Sequence, residues 1–193
     1  HTVQNLIDIK NFIINNLKVQ NIKKIPKIIA VSKTFSLDKI LPLIENGHLD
    51  FGENKVQEAA DKWTEIKSKK SHIKLHMIGK LQTNKVKLAI KLFDYIHSVD
   101  SEKLAQKISD EQNKINRKIK IFIQVNIGDE DQKSGIDKNQ LSNLINYCKK
   151  INLEVIGLMC IPPANIESDT YFKEMNLLNN EFGFHELSMG MSS

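Results

Sequence analysis

The sequence predicts an α/β fold, a (β/α)8 TIM barrel whose eighth strand is missing, and three observations carry that prediction. Short β-branched runs alternate with segments of helical periodicity from one end of the chain to the other. Repeated βα units imply parallel strands joined by right-handed crossovers. Neither a GxGxxG nor a Walker-type loop follows any strand, which favours a barrel over a dinucleotide-binding sheet. A closed barrel takes eight strands and typically about 250 residues. Seven strands are read within 193 residues, so a C-terminal strand and helix are expected beyond Ser193. An open seven-stranded doubly wound sheet is the alternative.

The elements follow in order. Leu6, Ile9, Ile13, Ile14 and Leu17 recur at helical spacing and predict a helix over Val3 to Val19. Lys27-Ile28-Ile29-Ala30-Val31-Ser32-Lys33, entered through Pro26, is the first strand. Ser36-Leu37-Asp38 opens a helix that runs to Glu45 and stops at Asn46-Gly47. His48 to Gly52 then reads as a strand and Lys55 to Ser68 as its helix. The same unit repeats as Lys74 to Gly79 with Thr83 to Leu92, and as Tyr95 to Val99 with Ser101 to Asn116. Lys120 to Ile127 is the clearest strand pattern, followed by a helix from Lys138 to Lys150. Glu154 to Ile161 is closed by Pro162-Pro163, a helix covers Asp169 to Asn180, and Glu186 to Met191 is the last strand. One domain over residues 1–193 is expected.

Composition narrows the function classes. The net charge is +5, but all but one of the 28 basic residues are lysine, spread along the chain, with Arg117 the exception. Base reading and bidentate phosphate clamping favour arginine, so no nucleic-acid partner is expected. No apolar run is long enough to cross a bilayer, and no signal peptide is visible. Cys148 and Cys160 have neither metal-ligand nor redox-motif spacing, so no metal and a cytoplasmic setting are expected. The first residue is His1 rather than Met, so a natural N-terminus upstream is an expectation. No heptad or sticky face is read, and a monomer is the expectation.

Ligands of parallel α/β folds sit at the C-terminal ends of the strands, and those ends are polar here. Ile29, Val31 and Lys33 share a face of the first strand, read as two core residues and an amine. An amine beside an apolar face is a nucleophile in waiting, although a lysine at a strand end can equally reach water. The second strand leads into Phe51-Gly52-Glu53-Asn54-Lys55. The third offers His76 and Lys80, with Gln82, Thr83 and Asn84 in its loop. The fourth ends at Ser98 and Asp100, the fifth carries Gln124 and Asn126, and the sixth gives Met159. Asn54 and Asp100 can simply cap helices, His76 can be a satisfied core histidine, and Met159 can fill a gap. Ser188, Gly190 and Ser192 share a face of the seventh strand and are too small and polar to fill a core. At that place in a barrel they suit a phosphate. An amine on strand one and a phosphate cup near strands seven and eight together describe a pyridoxal phosphate site.

These segments resemble the YggS/PROSC family of pyridoxal-phosphate-binding proteins, whose fold is that of the alanine racemase N-terminal barrel domain. The matching stretches are Ala30-Val31-Ser32-Lys33, Phe51-Gly52-Glu53-Asn54 with Gln57-Glu58, and His76-Met77-Ile78-Gly79 with Leu81-Gln82 and Asn84-Lys85. His97-Ser98-Val99-Asp100, Gln124-Val125-Asn126 before Lys133-Ser134-Gly135, Gly157-Leu158-Met159 before Ile161-Pro162-Pro163, and Leu187-Ser188-Met189-Gly190-Met191-Ser192 complete the series. The resemblance implies a covalent aldimine (Schiff base) between pyridoxal 5'-phosphate (PLP) and Lys33. It places Asn54, His76 and Met159 around the ring, and Ser188, Met189, Gly190 and Ser192 at the phosphate through a hydroxyl and backbone amides. The family continues into an Arg-Ile-Gly-Thr segment on the eighth strand that Arg117 cannot replace, so binding by this chain alone is expected to be weak or absent.

Resemblance to a racemase barrel is not racemase activity. Racemization needs an acid/base on each face of the cofactor, and in racemases a second domain of the partner subunit supplies the second. Tyr95, Tyr147 and Tyr171 fall at a strand start or on outer helices. The resemblance therefore implies a non-catalytic PLP carrier acting in intracellular PLP homeostasis, with PLP-dependent apo-enzymes as partners. A racemase-like PLP enzyme acting on amino acids and a basic nucleic-acid- or protein-binding barrel are the alternatives.

Overall fold

The computed structural model describes residues 3–8, 10–11, 27–128, 134–163 and 168–190. A first helix, α1, covers residues 3–8; the rest of the helix predicted to Val19 lies outside the described residues, apart from residues 10–11. Among the described residues seven strands follow: β1 Ala30–Val31, β2 Asp50–Glu53, β3 Lys74–Met77, β4 Tyr95–Val99, β5 Lys120–Gln124, β6 Glu154–Cys160 and β7 Glu186–Met189. Between them run α2 Leu37–Glu45, α3 Val56–Lys69, α4 Val86–Leu92, α5 Glu102–Lys114, α6 Leu141–Lys150 and α7 Ser168–Glu181. Single 3-10 turns, Thr83–Lys85 and Lys138–Gln140, lead into α4 and α6. Every strand pairs in parallel with its neighbour in sequence, giving the order β1-β2-β3-β4-β5-β6-β7. A doubly wound sheet would reverse that order at a switch point. The sheet is a curled barrel wall, and the open-sheet alternative is excluded.

Local chemistry explains the punctuation. Ser101 caps α5 by accepting a hydrogen bond from Leu104 N at 3.2 Å. Gly47, at φ +89, turns the chain from α2 into β2. Gly157 has to be glycine for a different reason: a Cβ there would lie 1.9 Å from Glu186 O on β7.

Alternation along the strands separates two environments. Outward residues such as Phe51, Leu75, Met77, Ile96, Ile121, Ile123 and Leu158 are buried against the helices. Trp63 of α3 is fully buried there, its ring 4.8 Å from Phe51. At the base, Asp94 ties three segments together. It accepts from Leu75 N at 2.9 Å and pairs with Lys67 at 2.5 Å and with Arg117 at 3.2 Å. Arg117 also donates to the carbonyl oxygens of Ile90 and Phe93, so the one arginine is a structural staple.

Inward residues line a cavity rather than a packed barrel interior. Ile29 and Val31, expected as core, stand on its wall; Val31 is 45% exposed. The reason is that the inward face of β1 meets the cavity, and among the described residues β1 pairs with β2 alone.

Trp63→Ala is expected to remove about 3–5 kcal/mol of unfolding free energy in urea denaturation. A loss below about 1 kcal/mol would contradict the packing described for the outer layer.

Candidate functional site

The cavity inside the strand wall has a volume of about 1100 Å³. Lys33, Asn54, His76, Met159, Ser188, Met189 and Gly190 all line it, so seven of the residues singled out by sequence converge on one space. Ser192 lies outside the described residues. Lys80, Gln124 and Asn126 line it as well.

Lys33 stands in the turn after β1, and the residues on either side of it are pinned from behind. Ser32 N donates to Gly52 O at 2.9 Å, and Ser32 Oγ donates to Glu53 Oε2 at 3.0 Å. Lys62 of α3, only 9% exposed, donates to Ser32 O at 2.6 Å and lies 2.9 Å from Glu53 Oε1, an ion pair rather than an aligned hydrogen bond. On the far side Thr34, at φ +64, donates its amide to Glu58 Oε1 at 2.6 Å. That amide, with the Lys62 charge adding to it against a small burial penalty, holds the Glu58 carboxyl below its usual range. The loop carrying the amine is therefore fixed at both ends.

Across the cavity a chain of side chains spans four strands. Asp50 Oδ1 of β2 lies 2.9 Å from His76 Nε2 of β3, and His76 Nδ1 lies 2.8 Å from His97 Nε2 of β4. His97 Nδ1 in turn lies 2.6 Å from Ser188 Oγ of β7. Stacking holds the rings in plane: Tyr95 lies 4.2 Å from His76 with planes 8° apart, and Phe122 lies 4.4 Å from His97. Burial pushes His97 down to about 3, with the neighbouring His76 adding to it. Burial also lowers His76, against the support of Asp50. At Asp50 burial opposes the charge, but the His76 hydrogen bond and the Lys27 ammonium outweigh it, and the carboxyl sits below its usual range. With both rings neutral and Asp50 ionised, one pattern satisfies every atom: Ser188 donates to His97, His97 to His76, and His76 to Asp50.

Sequence reasoning placed His76 in the site and missed Asp50, His97, Tyr95 and Phe122. A signal existed in the histidine at the third position of both Lys74–Met77 and Tyr95–Val99. Two strand-end assignments need correction. On β4 the inward side chains are Tyr95 and His97, whereas Ser98 is buried in the wall. Asp100 instead accepts from Gly135 N at 3.1 Å and fastens the loop after β5. The Gly190 amide, expected to face a phosphate, is spent on Cys160 O at 2.9 Å. Gly190 contributes space, since a Cβ there would lie 3.1 Å from Ile161 and 3.4 Å from Met159. Met189 stands on the rim, its sulfur 3.4 Å from Cys160 Sγ.

Four lysines line the cavity, Lys27, Lys33, Lys80 and Lys120, with Glu186 as the acidic lining residue. Apolar wall comes from Ile29, Val31, Ile78, Phe122, Met159 and Ile161. A flat, anionic, carbonyl-bearing molecule matches that mixture of amine, hydroxyl, positive field and apolar surface.

Known proteins place the chain in a family. The profile of the family "Alanine racemase, N-terminal domain" matches residues 7–188. A pyridoxal phosphate homeostasis protein of Vibrio cholerae is 36% identical over 177 residues, covering 86% of this chain and 75% of that one. The protein of the same name from Escherichia coli K12 is 33% identical over 175 residues, covering 86% and 75%. The structure of PipY from Synechococcus elongatus with PLP bound superposes at a TM-score of 0.79 with 31% identity, over 94% of this chain and 90% of that one. An alanine racemase of Clostridium difficile, at 17% identity and a TM-score of 0.66, shares the fold over 96% of this chain and 53% of its own.

The neutral relay makes stability acid-sensitive, and the sign follows from proton counts. His97 is depressed in the folded state, so below about 6.5 the unfolded chain binds a proton that the folded chain refuses. Stability is complete above that value and falls as pH drops toward about 3. From pH 7 to pH 5 the unfolding free energy is expected to fall by about 2 kcal/mol from this group. His97→Asn is expected to lose that part of the slope, measured by urea titrations at each pH. An unchanged slope would contradict the buried neutral relay.

Proposed function

The chain belongs to the alanine racemase N-terminal domain family, among the pyridoxal phosphate homeostasis proteins, and we propose that it binds PLP through Lys33 and serves in intracellular PLP homeostasis. The observation that carries this reading is the pinned Lys33 loop opening onto a cavity whose lining includes Ser188.

The residues fit that group by the chemistry of the donor set. A primary amine, a hydroxyl in the same cavity, a lysine-rich lining and an apolar flank are the complements of an aldehyde, a phosphate and a planar ring. When bound, PLP supplies an electrophilic aldehyde and a phosphate on one aromatic ring. Lys33 offers the nucleophile, and the clamps on Ser32 and Thr34 hold its backbone. Asn54 follows the last residue of β2 and lines the same cavity as the amine. Gly79 makes room there, since a Cβ on it would lie 2.7 Å from Asn54 O. Met159 and Ile161 supply apolar wall, and Ser188 with His97 marks the phosphate end.

A carrier role is favoured over racemase-type turnover by where the second acid/base could come from. Tyr95 is the tyrosine among the lining residues, and it lies flat on His76 at the N-terminal start of β4, while Lys33 follows the C-terminal end of β1. That stacking of the Tyr95 ring on His76 supports holding and release over proton exchange on two faces. PLP-dependent apo-enzymes are the recipients such a carrier would serve, and the barrel is proposed to act as a cytoplasmic monomer.

Absorbance titration with PLP, then borohydride reduction and peptide mapping, tests the site. A new near-ultraviolet or visible band and a single reduced adduct on Lys33, lost in Lys33→Ala, are expected. Labelling scattered over surface lysines, or unchanged in Lys33→Ala, would overturn the proposal.

A further inference from the structure

Ser188 has one proton, and the relay already uses it. In the direction fixed by an ionised Asp50, the Ser188 hydroxyl donates to His97 Nδ1 over 2.6 Å. Its oxygen then shows only lone pairs to the cavity, and lone pairs repel a phosphate dianion. The reading of Ser188 as a phosphate donor and the hydrogen-bond direction that an ionised Asp50 imposes are thus incompatible unless the relay turns round.

Turning it round has a fixed proton count. Ser188 would donate to the phosphate oxygen, and His97 would have to donate from Nδ1 to Ser188 Oγ. His97 would then accept at Nε2 from a proton on His76 Nδ1. His76 keeps its Nε2 proton, because a bare nitrogen 2.9 Å from the Asp50 carboxylate would be repelled. The proton on His97 Nε2 passes to His76 Nδ1, and one proton from solvent arrives at His97 Nδ1. The resting chain holds three protons over Ser188, His97 and His76, and the reversed chain holds four. The extra charge rests on His76 between Asp50 and its neighbours.

We propose that binding of a phosphate monoester dianion at Ser188 reverses the Ser188–His97–His76–Asp50 relay and takes up one proton, making His97 and His76 positioning residues that set which way Ser188 points. This rests on the PLP reading above and adds a proton linkage to it. The groups facing the relay favour the charged form at one end and oppose it at the other. Asp50 and Asp94 attract a proton at His76, whereas Lys27 opposes it at 3.9 Å from Asp50 Oδ1. His48 Nε2 lies 2.8 Å from the Asp50 carbonyl oxygen. Lys120 Nζ lies 5.5 Å from the Tyr95 ring centroid, and His185 and Glu186 line the same cavity as Ser188. The incoming dianion supplies the charge that tips the balance.

Pyridoxine 5'-phosphate, which has the phosphate but no aldehyde, separates this linkage from Lys33 chemistry. With 15N-histidine-labelled protein at pH 8, the free state is expected to show His97 protonated on Nε2 only. The complex should show His97 protonated on Nδ1 and His76 on both nitrogens. Calorimetry in two buffers of different ionisation enthalpy should count about one more proton taken up than for pyridoxine, and His97→Asn should lose that difference. The 31P shift should report a bound dianion. A bound dianion with unchanged histidine tautomers, or a proton found on the phosphate instead, would overturn the inference and leave the PLP reading standing. Affinity unchanged in Ser188→Ala would overturn the placement of the phosphate at Ser188 itself.

Discussion

The attachment of β1 to β2 is the constraint on which the site depends. β1 is two residues long, paired at Ala30 with Phe51 and at Val31 with Gly52, and nothing in so short a ladder would hold a lysine still. The missing rigidity comes from Lys62. Its ammonium reaches through the wall from α3 to the carbonyl of Ser32 and to Glu53, so one buried charge joins helix, β1 and β2. Removing it would leave Glu53 buried at 1% exposure without its counter-charge, a costlier change than losing a surface ion pair. Glu58 completes the arrangement on the other side of Lys33.

The interior follows a different logic from a packed barrel, in which layers of branched side chains fill the middle. Here the middle layer is His76, His97 and Ser188, flanked by Tyr95 and Phe122. That layer stays ordered because each polar atom has one partner and each histidine ring is stacked on an aromatic one. Polar networks of this kind are costly when partly satisfied. The consequence is that anything asking Ser188 for its proton must be answered by the whole chain back to Asp50.

Much of this was legible in residue order. Period-two alternation put Lys33 on the face of Ile29 and Val31, and Ser188 on the face of Gly190, and both pairs do share the cavity wall. The capping and stop residues Ser101 and Asn46-Gly47 marked helix ends to within about a residue. The errors have a common origin: reading polar residues at strand ends as pointing inward without fixing the phase of each strand. β4 starts inward at Tyr95, which turns Ser98 into the wall, and its register shifts between Ile96 and Val99. The relay was invisible for another reason. His97 and Ser188 are 91 residues apart and meet only because β7 curls round to face β4. Backbone accounting corrected the rest, since the Gly190 amide belongs to the β6–β7 ladder and cannot serve a ligand as well.

The central claim is that one cavity joins an amine at the end of β1 to a hydroxyl on β7 around a single cofactor. A crystal structure of the protein soaked with PLP tests it most directly. The account predicts continuous density from Lys33 Nζ to the cofactor ring, with the phosphate within hydrogen-bond distance of Ser188 Oγ and Met159 against the ring. Density on Lys33 with the phosphate turned to Lys27 and Lys120 on the floor, or a cofactor outside the strand wall, would contradict it.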